Sequence, residues 1–64
     1  MPWNESYYPP AMAHLQPVVR SKAIEIANAL LAEGLDEGFA IRVGISRAKD
    51  WARRHGVSED ISRG

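Results

Sequence analysis

Between Pro17 and Gly56 apolar residues recur at helical spacing in two blocks, separated by Gly34-Leu35-Asp36-Glu37-Gly38. Those five residues hold a helix stop and a helix start. Gly34 suits the left-handed position that follows a last helical turn. Asp36 suits an N-cap, and Glu37 the positive end of the helix that follows. A connection this short folds the two helices back against each other. The sequence therefore predicts an all-α fold, an antiparallel two-helix hairpin with arms at 17–33 and 37–55.

The apolar faces say what the hairpin needs to be covered. On the first helix Val19, Ala23, Ile24, Ile26, Ala27, Leu30 and Leu31 share an arc of about 160°. Arg20 interrupts it, and is expected to lay its stem on the surface with its head in water. On the second helix Ala40, Ile41, Gly44, Ile45, Ala48, Trp51 and Ala52 share about 140°. Most of these are small, and Gly44, unfavourable in a helix by about 1 kcal/mol against alanine, signals close backbone approach. Leu30, Ile26 and Ile41 are expected to meet at the centre of the core. The first arc is wider than one helix covers. The segment 1–9, broken by Pro2, Asn4 and Pro9, carries Trp3, Tyr7 and Tyr8 and is expected to cover the remainder. Asn28, at the border of the apolar arc, is placed to anchor that segment by a hydrogen bond. A short helical turn is expected over 10–15, with Pro10 at its first position. Residues 1–56 then make one mini-domain, and 57–64 read as a frayed, disordered tail.

Sixty-four residues without cysteine leave no disulfide or thiolate metal site to reinforce a small core. No apolar run approaches the roughly 20 residues of a membrane span. The N-terminus lacks the basic and apolar regions of a secretory leader. These features point to a cytoplasmic chain with no membrane role. Catalytic patterns are also missing. His14 and His55 lie in different elements without carboxylates at ligand spacing. Gly34 and Gly38 punctuate helices and form no phosphate loop. Ser21, Ser46, Ser58 and Ser62 have no positioned base. The expectation is a non-enzymatic protein with no cofactor and no metal.

Charge is where the sequence points to function. Residues 1–37 hold two basic against five acidic residues, and residues 38–56 hold five basic against one acidic. Attraction between the two helices is one reading; a basic binding face is the other. Arg42, Lys49 and Arg53, spaced i, i+7 and i+11, form a stripe on the outer side of the second helix, with Phe39 and Val43 at its edge. That makes Phe39, Arg42, Val43, Lys49 and Arg53 the candidate partner-binding residues, for an acidic protein or a second copy of the chain. The alternative is a solvated face whose Phe39 meets the loop or the N-terminal segment. Weak, non-specific nucleic-acid binding is the runner-up function. The run Arg53-Arg54-His55-Gly56-Val57-Ser58 resembles a helix-turn-helix turn, but six residues after Ser58 do not build a recognition helix.

The segments Met1-Pro2-Trp3, Tyr8-Pro9, Lys22 to Leu31, Glu37-Gly38, Ala40-Ile41 and Ala48-Lys49-Asp50-Trp51 resemble a family of small uncharacterised bacterial proteins. They also resemble the N-terminal part of longer uncharacterised Bacillus proteins. More distantly, Pro10 to Leu15 and the later alanines are similar to the ChaB family of putative cation-transport regulators. The resemblance implies a small helical fold with no established enzyme activity, and carries no functional residues with it.

Overall fold

The structure, a computed structural model, describes residues 2–61. Their order is a 3₁₀ turn at Pro10–Met12, helix α1 at Pro17–Ala32 and helix α2 at Glu37–Arg54. Among the described residues there is no strand, and the architecture is the expected all-α hairpin with a short N-terminal turn. The punctuation acts as its chemistry dictates. Pro17 opens α1, where its missing N–H leaves no bond unmade. Asp36 Oδ2 accepts the Phe39 N–H at 3.0 Å and caps α2. Both helices end in the same way. Gly34 (φ 90°) and Gly56 (φ 69°) turn the chain left-handed. Leu35 then donates back to Leu30 at 3.2 Å, and Val57 to Ala52 at 2.8 Å.

The two helices meet through small residues. Ala40, Gly44, Ala48 and Ala52 form the buried ridge of α2. Opposite lie Val19, Ala23 and Ala27, with Ile24 alongside. A Cβ on Gly44 would stand 2.9 Å from the Ala23 carbonyl oxygen and 3.1 Å from Ala27 Cβ. Close approach is therefore what the glycine provides. Among the described residues no ion pair joins α1 to α2, so packing rather than the charge difference holds the hairpin.

The core centre differs from the expected one. Met12, Leu15 and Val19 are the largest fully buried side chains, while Leu30, Ile26 and Ile41 are each half-buried. The buried side of α1 is rotated past the apolar arc to take in Asn28. Polar Asn28 cannot be read as core from hydrophobicity, yet it satisfies a buried backbone and so belongs there. Leu15→Ala is expected to cost about 2–5 kcal/mol, and Ile26→Ala about 1 kcal/mol or less. Urea unfolding of the two variants checks this, and an equal loss would contradict the rotated core.

Two polar side chains fasten the N-terminal segment. Trp3 is 7% exposed. Its N–H donates to Asn28 Oδ1 at 3.2 Å, and Asn28 Nδ2 donates to the Trp3 carbonyl at 2.9 Å. The anchoring expected of Asn28 is thus met with two bonds. Arg20 departs from its expected position with its head in water. Its side chain is only 13% exposed. Nε donates to the Met12 carbonyl at 3.2 Å, and Nη2 to those of Ala13 (3.3 Å) and Leu15 (3.0 Å). The guanidinium also lies 4.7 Å from the Tyr8 ring centroid. The Met12 carbonyl also accepts the Leu15 N–H at 3.2 Å, and Arg20 supplies further donors to it and to the carbonyls of Ala13 and Leu15 at the exit of the turn. Of the three expected covering rings, Trp3 and Tyr8 cover; Tyr7 is 70% exposed, turned out by the bend Asn4–Tyr7.

The chain after α2 also departs from expectation over 57–61. Instead of fraying, it pairs antiparallel with the approach to α1. Gln16 donates to the Glu59 carbonyl at 3.1 Å, and Ile61 to that of His14 at 2.9 Å. Val57 packs against the core. This pairing unites chain positions far apart, so no local pattern announces it. The rest of the expected tail, 62–64, lies outside the described residues.

Candidate functional site

Because Asp36 fixes where α2 begins, the phase of every later side chain follows. Burial of Ala40, Gly44, Ala48 and Ala52 against α1 points Arg42, Ser46 and Arg53 away from the hairpin, all three exposed, with Lys49 half-buried beside them. Phe39 lies at the start of this outer side, 42% exposed. Val43 is half-buried, turned towards the flank that α2 shares with α1. The structure thus brings Phe39, Arg42 and Lys49 to one surface, with Val43 at its margin.

Arg53 is engaged differently. Its Nη2 lies 2.7 Å from Asp50 Oδ1, and its Nη1 3.1 Å from Glu59 Oε2. The hydrogen bond to Asp50 and then that to Glu59 hold its guanidinium even further from deprotonation than usual. Arg54 Nη2 reaches the other Asp50 oxygen at 4.0 Å. Arg53 therefore ties the returning 57–61 segment to α2. Among the described residues no carboxylate lies within 4.0 Å of Arg42, Arg47 or Lys49. The basic stripe divides into an unneutralised part, Arg42 to Lys49, and a neutralised end at Arg53.

Asp50 was legible as a partner for Arg53 and Arg54, at i+3 and i+4 on the same helix. Glu59 was not, since its approach depends on the return of the tail. Elsewhere, His55 stacks on Trp51 with ring centroids 5.0 Å apart, and Lys22 Nζ sits 5.3 Å from the Trp51 centroid. Among the described residues no group of three histidine or carboxylate side chains is arranged to hold a metal ion. No helix among them is long and apolar enough to cross a membrane.

The chain is 46% identical over 59 residues to the uncharacterised protein YdaT of Bacillus subtilis (strain 168). The matched part is 92% of this chain and 39% of that protein, so the chain spans about two-fifths of the curated relative's length. The similarity to longer Bacillus proteins is thereby supported. No family model matches the chain, and no solved structure does.

Proposed function

We propose that this chain is a non-enzymatic interaction module that docks an acidic protein segment on the outer face of α2. The observation that carries the reading is the placement of Arg42 and Lys49, with no carboxylate within 4.0 Å among the described residues, on the same side of α2 as exposed Phe39. A cation already neutralised in its own fold has little to offer a partner. Arg42 and Lys49 keep their charge for one, and Phe39 adds apolar area that a partner would desolvate. Similarity to part of a longer relative suits a module that works beside other protein segments. The complete lack of cysteine suits a reducing compartment such as the cytoplasm. The ChaB resemblance fits a regulatory setting for such a module and adds no residue to the site.

Nucleic-acid binding is the second reading, favoured by the five basic residues within 38–56. The two readings separate in one titration series. Fluorescent acidic peptides with interspersed leucines, and single-stranded and duplex DNA, are titrated at low and physiological salt. The docking reading expects peptide binding that Arg42→Glu/Lys49→Glu weakens by tenfold or more, with an unchanged thermal melt. The nucleic-acid reading expects DNA affinity that falls steeply with salt. Peptide binding indifferent to the charge reversal would remove the site assignment, and no binding to either probe at low salt would remove both functions.

A further inference from the structure

The hairpin has two broad sides, and they are unequal. One is closed by Trp3, Tyr8 and Pro9, which approach Ile41 of α2 and are tied to Asn28 of α1. The other has no covering segment among the described residues. There α1 presents Lys22, Ile26, Ala29 and Glu33 within an arc of about 60°. Ile26 is half-buried, and Ala29 and Glu33 are exposed. Gly44 sits on Ala23 and Ala27, which sets Val43 level with Ile26 and continues the apolar surface onto α2. Lys22 above the Trp51 ring marks the same side.

We propose that this uncovered side seats a second copy of the chain, related by a two-fold axis that passes α1 between Ala27 and Asn28. The charge pattern argues for a second copy over a foreign partner. A two-fold interface must be complementary to itself. Lys22 and Glu33 lie equally far on either side of that point, and so do Ile26 and Ala29. Antiparallel packing of the two α1 helices therefore sets Lys22 against the partner's Glu33, twice, and Ile26 over the partner's Ala29, whose small side chain leaves it room. The same axis runs close to Val43 and brings the Val43 margins of both copies together. Among the described residues the only carboxylate within 4.0 Å of Lys22 is that of exposed Glu25, at 3.4 Å, a surface pair of little worth. With eight basic and eight acidic residues, two copies meet without net repulsion. Arg42 and Lys49 stay outside this contact, so the inference stands apart from the acidic-partner reading.

Sedimentation equilibrium of the full chain, from micromolar to millimolar, tests it. The wild type is expected to approach twice the chain mass. Lys22→Glu and Glu33→Lys should each weaken dimerisation about tenfold or more, since each turns two attractive pairs into two repulsive ones. The double variant Lys22→Glu/Glu33→Lys should restore it. That rescue cannot come from a damaged fold, and circular dichroism melts of all three variants provide the control. Ile26→Asp should abolish association. A wild type monomeric at millimolar concentration overturns the proposal. So does a dimer indifferent to both single reversals, or one lost on Arg42→Glu/Lys49→Glu, which would place the contact on the outer face of α2 instead.

Discussion

Gly44→Leu is expected to leave the chain largely unfolded at 25 °C, and Gly44→Ala to lower the melting temperature by roughly 5–15 °C. Even the first added carbon would stand 2.9 Å from the Ala23 carbonyl oxygen. That atom is backbone, so relief requires the helices to separate. Alanine recovers about 1 kcal/mol of helix propensity. Overpacking typically costs about 1–3 kcal/mol, and the upper half of that range outweighs the recovery by about 1–2 kcal/mol. Leucine adds three more carbons to a space already too small for one, and separation forfeits the contact between Ala40–Ala52 and Val19–Ala27. A core this small rarely supplies more than about 3–5 kcal/mol in all. Thermal melts followed by circular dichroism decide the matter. A Gly44→Ala variant more stable than the wild type would show that propensity, not helix contact, governs this position.

Trp3→Ala is expected to cost about 3–5 kcal/mol, as much as many domains of this size possess. The indole is buried between the hairpin and the proline-rich turn, so its loss removes apolar contact and leaves a void. Asn28→Ala should approach the same loss by a different route. It removes no large apolar surface, but it strands the Trp3 N–H and carbonyl, each at about 1–3 kcal/mol. The double variant should fall well short of the sum, because both changes release the same segment. Guanidinium unfolding of the three proteins gives the comparison. A Trp3→Ala variant within about 1 kcal/mol of the wild type would mean that the N-terminal segment covers nothing of consequence.

Local chemistry was legible in the sequence; long-range returns were not. Pro17, Gly34, Asp36 and Gly56 act through bonds to near neighbours, and each sits where its residue type requires. Ala40, Gly44 and Ala48 repeat every four residues, which announced a close helix contact. The rotation of α1 was hidden because Asn28 is core by hydrogen bonding and not by hydrophobicity. Arg20 was misplaced for a related reason: its three carbonyl partners lie in and after a turn whose acceptors no spacing rule displays. In the candidate site, the outward phase of Arg42 and Lys49 followed from the helix period. The engagement of Arg53 did not, since half of it comes from Glu59, which arrives by the return of the tail.

That return gives the two ends of the fold unlike mechanical characters. At the N-terminal end a buried ring must be drawn out of the core while two bonds to Asn28 are broken together. At the other end, the pairing of 59–61 with 14–16 presents its bonds in series to a pull from beyond Ile61. The Ile61 bond to His14 peels first, then that between Gln16 and Glu59. Tension along the chain is therefore released at the tail while the aromatic anchor and the hairpin hold. Under a pull the strand-like seam is therefore expected to yield before the aromatic anchor does.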